Sequence, residues 1–444
     1  IWDGPRITRF PVRPIHSART EGFDPPMSIT RPQTHPFADT IEVTRETLRR
    51  ATQGLPSVLR LALGYPLGIR YGILTMRLPD GRRLLFRGKE PGPSAEMVVN
   101  DLAFARRLIL DGDLGFAEAF IRREWDTPDL SGFLHFFAVN MHAVRNLTRF
   151  NPLARLLHRY RHWRNRNTRT QAKRNIAAHY DLGNAFYRAW LDPSMTYSSA
   201  LFETGAETLH EAQLAKYRRL ARELALKPGD HVLEIGCGWG GFAEVAAREF
   251  GAKVTGLTLS QEQFDFATRR MAEAGLSDRV TIKLQDYRDE QGLYDAVASI
   301  EMFEAVGKEY WQTYFDKVAA SLAPGGRAGI QAITIDEAYF SDYVREIDFI
   351  RAYIFPGGML PTPTHMRDLP RNSGLVVEND MGFGQDYART LHAWADHFTE
   401  SWHNLAPLGF DDRFRRMWLY YLFYCEAGFR TGGIDVRQMV YRRA

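Results

Sequence analysis

Apolar and polar positions fall into two rhythms along this chain. Between about 230 and 335, short apolar runs recur: His231 to Ile235, Lys253 to Leu259, Val280 to Leu284, Ala296 to Ile300 and Arg327 to Ala332. Each has the length and composition of a strand buried on both faces of a parallel sheet. Stretches of helical spacing, Leu209 to Leu224 and residues 260–274, alternate with them, and Lys227-Pro228-Gly229 and Pro324-Gly325-Gly326 punctuate the pattern. Ser260 with Gln263 three residues on predicts a capping box that starts the second of these helices. The alternation predicts a doubly wound, Rossmann-like α/β domain whose ligands sit beyond the carboxyl ends of the strands. The positions to read for chemistry are therefore Gly236–Gly240, Thr258, Gln285–Tyr287, Glu301–Glu304 and Gln331–Ile333.

Upstream the rhythm changes. Ile41 to Leu63 carries helical spacing, Tyr71 to Met76 and Arg83 to Phe86 read as a hairpin closed at Pro79-Asp80-Gly81, and Gly88 to Pro93 reads as a loop. Leu102 to Arg123 and Asp129 to Asn146 return to helix. This predicts a smaller α+β domain over 40–144 without a catalytic constellation, serving to bind an apolar ligand, hold a partner or act as scaffold. Residues 1–39 are Pro- and Arg-rich without periodicity and are expected to be flexible or foreign to the native chain, with Met27 a candidate start.

Composition changes the picture in three places. The 444 residues exceed one typical domain, and 45% apolar residues suffice for a sizeable core. Net charge is only +4, but Arg145 to Arg174 holds ten Lys and Arg and no carboxylate, interleaved with Phe150, Tyr160 and Trp163. That basic linker, 145–175, suits an anionic surface, a nucleic acid or plain solvent, and charge alone does not separate them. Two cysteines, Cys237 and Cys425, argue for a reducing compartment, and no apolar run is long enough to span a bilayer.

The turn after the first buried strand is the most informative stretch. Gly236, Gly238 and Gly241 fit the G-x-G-x-x-G spacing that brings backbone close to a ligand. A dinucleotide fold would place a ribose-binding carboxylate about 20 residues on, at the end of the second strand. Thr258 and Leu259 stand there instead. The turn Glu234-Ile235-Gly236-Cys237-Gly238-Trp239-Gly240 resembles the first motif of S-adenosylmethionine-dependent methyltransferases.

Several separated motifs then agree. Met195-Thr-Tyr-Ser-Ser, Leu233-Glu-Ile-Gly-Cys-Gly-Trp-Gly, Val254-Thr-Gly-Leu-Thr-Leu-Ser-x-x-Gln263, Leu284-Gln-Asp-Tyr-Arg-Asp289, Met302-Phe-Glu-Ala-Val-Gly307, Tyr353-Ile-Phe-Pro-Gly-Gly358 and Asp386-Tyr-Ala-Arg-Thr-Leu391 together resemble the cyclopropane-fatty-acid synthase family from about Asn175 to the C-terminus. The resemblance implies a class I methyltransferase domain over 176–444 and a sterol-carrier-like lipid domain over 40–144. It implies transfer of the methyl of S-adenosylmethionine to the double bond of an unsaturated acyl chain in membrane phospholipid, through a carbocation. For the cofactor it implies Tyr197 and Ser198 near the methionine carboxylate, Glu234 with Gly236, Cys237, Gly238, Trp239 and Gly240 along the tail, Thr258, Leu259 and Gln263 near the ribose, and Gln285 with Asp286 near adenine. No metal is expected.

In the family a bicarbonate, held by a Cys, a Glu, a His, a Tyr and an Ile backbone N–H, removes the proton. The Glu, Tyr and Ile fall on Glu304, Tyr387 and Ile333, but the Cys position is Ser199 and the His position is Gln331. Glutamine can donate a hydrogen bond to an anion but cannot carry the proton as imidazole does. Whether bicarbonate binds is left open, and Gln331 with Glu301 looks more like the branch of the family that makes methyl- or methylene-branched chains than the one that makes cyclopropanes. Cys425 matches a family cysteine readable either as catalytic or as a small buried thiol. The aromatic set Phe349, Tyr353, Phe355, Trp394, Trp418, Tyr420, Tyr421 and Phe423 reads as core or as the wall of an acyl tunnel. The expected partner is a phospholipid bilayer rather than nucleic acid, with the enzyme cytoplasmic and peripheral on the inner membrane face and a homodimer left open. Two competing readings are a methyltransferase for a soluble small molecule and a non-catalytic lipid carrier with a dead site.

Overall fold

The computed structural model describes residues 40–141 and 182–444. The expectations for residues 1–39 and for the basic linker lie outside the described residues. Two sheets carry the chain. The first has five strands in the order β1-β3-β2-β4-β5 and the second seven, in the order β11-β12-β10-β9-β6-β7-β8.

In the first sheet, β2 (Tyr71–Arg77) and β3 (Arg83–Arg87) form the expected antiparallel pair, and alternate residues of both face the core. Two expectations fail. Ile41 to Leu63 is not one helix but strand β1 (Thr40–Glu42) followed by helices Leu48–Ala51 and Ser57–Ala62, because Gly54 at φ 78° and Pro56 break it. The supposed loop at 88–93 lies largely inside strand β4 (Glu90–Val99), which runs parallel to β2. Its prolines are tolerated because β5 (Trp125–Asp126) pairs only with Val98 and Val99, leaving the start of β4 as an edge. Helices Ala103–Ile121, kinked at Gly112, and Leu130–Val139, capped by Asp129, cover this sheet.

In the second sheet, β6 (His231–Ile235), β7 (Lys253–Thr258), β8 (Val280–Leu284), β9 (Tyr294–Ile300) and β10 (Leu322–Ile335) run parallel, as the apolar runs predict. Two antiparallel strands unread in the sequence complete it: β11 (Leu375–Gly382) at the edge and β12 (Ile434–Arg443) between β11 and β10. The capping box at Ser260 is half formed. Ser260 accepts from the Gln263 N–H, but the Gln263 side chain turns to accept from Thr258 Oγ1 at 2.8 Å instead of returning to the cap.

Helix Asp412–Arg430 joins the two halves. Its Glu426 accepts from Ser131 Oγ at 2.9 Å, and its Arg416 donates to the Phe120 carbonyl at 2.8 Å and pairs with Asp126. One apolar core runs through both halves, from Leu74, Phe86 and Trp125 to Trp190, Trp394 and Trp418. No helix among the described residues is long and apolar enough to cross a membrane.

Candidate active site

Strand β6 ends in Gly236 at φ 83°, and Gly238 and Gly240 also hold positive φ before helix Gly241–Glu249 begins. A Cβ on Gly236 would stand 2.8 Å from Met302 Cγ, so this turn excludes any side chain. Beyond it opens a cavity of about 170 Å³ lined by Tyr197, Ser198, Glu234, Gly236, Cys237, Gly238, Trp239, Thr258, Leu259, Gln263, Gln285 and Asp286. Of the residues expected around the cofactor, Gly240 alone does not line it. At φ 84° Gly240 caps the helix behind the turn, so its part is to bend the chain. The sequence reading gave no cofactor role to Tyr217, Arg288 or Met302, which also line it. Arg288 grips Asp286 with two bonds of 2.9 and 2.6 Å, fixing that carboxylate at the cavity's edge. Trp239 Nε1 donates to Asn184 Oδ1 at 2.7 Å, tying the start of helix Asn184–Arg188 to the turn.

A second cavity of about 770 Å³ meets the first where Tyr197, Glu301 and Ala305 line both. Glu304, Ile333, Tyr387, Tyr421 and Cys425 border it, and it continues into the N-terminal half. Of the aromatic residues singled out in the sequence, Phe355, Tyr420 and Tyr421 are wall, while Phe349, Trp394 and Trp418 pack in the core.

The residues expected to hold an anion do converge, but on a carboxylate of the chain itself. Glu301 follows β9 with the left-handed φ of 49° that a non-glycine residue adopts only when its surroundings require it. Its Oε1 accepts from the Ser199 backbone N–H and from Gln331 Nε2, both at 2.8 Å, and its Oε2 accepts from the Tyr387 hydroxyl at 2.6 Å. The Ser199 hydroxyl turns away to the Ala200 carbonyl. Gln331 cannot flip its amide, because its Oε1 accepts from Gln438 Nε2 at 3.0 Å and Gln438 in turn accepts from Arg219 at 2.6 Å. Burial raises the Glu301 carboxyl, against the Lys216 charge and these three donors.

Glu304 lies one helical turn on. Its Oε1 accepts from the Ile333 N–H at 2.5 Å and its Oε2 is buried with no partner among the described residues. Burial, then the Glu301 charge, pushes it up to about 8. Below these carboxylates, buried Lys216 bonds Ser198 Oγ, and burial pushes its ammonium down to about 7 while Glu301, Asp192 and Glu234 hold it up. Cys425 lines the larger cavity, and burial pushes its thiol far up, the setting of a small buried thiol.

The raised Glu304 has a consequence for stability. Between its unfolded value near 4.5 and about 8 the native carboxyl keeps a proton that the unfolded one has lost, so this group makes stability fall as pH rises through that window. Glu304→Gln removes the term: urea titrations from pH 6 to pH 8 are expected to show the wild type losing about 2 kcal/mol more than the variant. Equal losses in both proteins would show that Glu304 titrates normally.

A glycine turn after β6 that opens on a cavity at the carboxyl ends of parallel strands, with Thr258 where a dinucleotide fold carries an acid, has the form of a class I S-adenosylmethionine-dependent methyltransferase, and the relatives of the chain place it in that class. The chain belongs to the mycolic acid cyclopropane synthetase family, whose model matches residues 167–439. It is 41% identical over 346 residues to the tuberculostearic acid methyltransferase UfaA1 of Mycobacterium tuberculosis, covering 76% of this chain and 80% of that one. It is 35% identical to the cyclopropane-fatty-acyl-phospholipid synthase of Escherichia coli K12, covering 79% and 88%. Among solved structures, the cyclopropane synthase MmaA2 of M. tuberculosis superposes with a TM-score of 0.58 at 31% identity, over 61% of this chain and 98% of that one. The mycolic acid cyclopropane synthase CmaA1, complexed with SAH and CTAB, superposes at 0.57 and 30% identity, over 61% and 98%.

Proposed function

We propose that this enzyme methylates the double bond of an unsaturated acyl chain in phospholipid and releases a ring-free methyl- or methylene-branched chain that keeps one carbon–carbon double bond, with Glu301 as the base. The observation that carries the reading is the Glu301 carboxylate itself. It takes the hydrogen bonds of Ser199, Gln331 and Tyr387, three of the positions that surround bicarbonate in the family pattern, while the Ile333 N–H is taken by Glu304. The donor set therefore does not fit a bicarbonate. The greater identity to a tuberculostearic acid methyltransferase than to a cyclopropane-fatty-acyl-phospholipid synthase points the same way.

S-adenosylmethionine, bound over the Gly236–Trp239 turn by the residues that line the smaller cavity, supplies an electrophilic methyl. Tyr197 and Glu301, on the wall shared by both cavities, hold the alkene against it. The π electrons would take that methyl as its carbon–sulfur bond breaks, leaving S-adenosylhomocysteine in the smaller cavity and a cation on the acyl chain. Tyr197, Tyr387 and Tyr421 line the chamber that would shelter it. A C–H bond beside the cation gives its electrons to a new double bond, and its proton passes to Glu301. A carboxylate of raised affinity for protons is suited to that transfer. The apolar length of the larger cavity favours an acyl chain over a small soluble amine.

Two finer parts of the reading follow. Residues 40–144 serve as a lipid-binding domain, and the arginines of 145–174 dock the enzyme on the anionic cytoplasmic leaflet, each contributing about 1 kcal/mol. Vesicle binding is expected to weaken from low to high salt, and neutralising Arg159, Arg161, Arg164 and Arg166 should remove most of that dependence; binding that ignores both changes sinks the docking. For the product, lipids from a host fed defined mono-unsaturated acids should carry a branched, ring-free chain by mass and NMR analysis. A clean cyclopropane signal would overturn the assignment.

A further inference from the structure

The larger cavity does not end at the catalytic carboxylates. From Glu304 and Tyr387 its wall passes to a girdle of ionisable groups, Asp113, Glu346, Asp348 and Arg351, and then into the N-terminal half between Leu74, Met97 and Phe116. Asp113 comes from the N-terminal half and Glu346, Asp348 and Arg351 from the other, so the girdle lies where the cavity crosses between the halves. Tyr343 feels Glu304 on one side and Asp348 with Arg351 on the other, and Tyr424 feels both Asp348 and Asp113. An acyl tail has no use for such groups, and burying them is costly.

Two features of the girdle point to a ligand. Asp113, presented just after the kink at Gly112, has no ion-pair cation within reach among the described residues, and it lines the cavity together with Tyr65, Tyr420 and Tyr424, whose phenols feel its charge. Buried carboxylates beside aromatic rings are a setting that receives an ammonium. Arg351 is the second. Its side chain is 2% exposed and lies over the Tyr343 ring at 4.1 Å, and its Nη2 donates to the carbonyls of Tyr343 and Glu346. Its Nε pairs with Asp348 at 3.5 Å without a hydrogen bond, and its Nη1 has no hydrogen-bond partner among the described residues. A buried guanidinium whose donors are left without hydrogen bonds, lining a cavity, matches a phosphate.

We propose that this girdle binds the head of a zwitterionic phospholipid, with the ammonium among Asp113, Glu346 and Asp348 and the phosphate at Arg351. One acyl chain then runs to Glu304 and the other into the N-terminal half. The assignment rests on the lipid reading above for which chain is methylated. It explains why one cavity spans two halves of the protein: a molecule with two tails needs two arms.

Binding is the test, because it does not depend on turnover. Titration calorimetry on the full chain with short-chain, water-soluble diacyl lipids should show the phosphoethanolamine lipid binding about tenfold tighter than the phosphoglycerol lipid. Asp113→Asn should bring the first down to the level of the second and leave the second unchanged. Arg351→Gln should weaken both, and a single-chain phosphoethanolamine lipid should bind more weakly than its diacyl counterpart. Should Asp113→Asn fail to fold, as judged by its thermal unfolding and its S-adenosylmethionine binding, Asp348→Asn carries the same expectation. Equal affinity of the wild type for the two heads, or a preference that survives the carboxamide variant, overturns the proposal. Head-selective binding by a protein that methylates no lipid would support the girdle and defeat the proposed reaction; methylation without head selectivity would do the reverse.

Discussion

Glu301→Gln is expected to lower turnover on unsaturated phospholipid vesicles by about 10³-fold, within the range that a positioned general base contributes. The substitution is nearly isosteric. Its carbonyl oxygen can still accept from the Ser199 N–H and Gln331, and its amide can donate to the Tyr387 oxygen, so the local geometry has no reason to collapse. What it loses is the ability to take a proton. Equilibrium binding of S-adenosylmethionine should stay within a few fold of the wild type, since the smaller cavity is otherwise untouched. Turnover within tenfold of the wild type would remove Glu301 from the reaction, and restoration of activity by added bicarbonate would return the proton to the family's anion.

The second large effect concerns Lys216. This ammonium stands buried beneath Glu301, Glu234 and Asp192, and its charge is one of the terms that hold the raised Glu301 carboxyl down. Lys216→Met leaves that carboxyl with burial unopposed by a cation, so its proton affinity rises further and the base is occupied at neutral pH. The rate at pH 7 is expected to fall by about 10- to 100-fold, with the ascending limb of the pH–rate profile moved to higher pH. Because the wild-type ammonium itself discharges through about 7, the two profiles should draw together above that point. Superimposable profiles at all pH values would show that Lys216 does not set the state of Glu301.

Much of this was legible in the residues, and for identifiable reasons. The five parallel strands follow the apolar runs, and β6 begins and ends where its run does because it is buried on both faces; β8 also matches its run, although as an edge strand it is only partly buried. The glycine turn was equally plain, since Gly236 is forced by backbone geometry rather than by packing. Strands β11 and β12 were not read. Both carry charged side chains, such as Glu378, Arg437 and Arg442, paired with neighbours that come together only in the folded sheet. The role of Gln331 was half legible: the loss of imidazole could be seen, but not that Gln438 and Arg219, 107 and 112 residues away in sequence by subtraction of residue numbers, would lock its amide toward Glu301. Nor does any local pattern announce the meeting of Asp113 with Asp348, since those carboxylates belong to different halves of the chain.

Strand β12 is the last element in sequence, yet it lies inside the second sheet, hydrogen-bonded to β10 on one side and β11 on the other. During synthesis β11 is therefore made before the strand it pairs with, and Gln331 before Gln438 can reach it. The nascent sheet holds an open slot until β12 emerges, so a chain truncated just before Ile434 should be inert toward lipid and vulnerable to protease at β11.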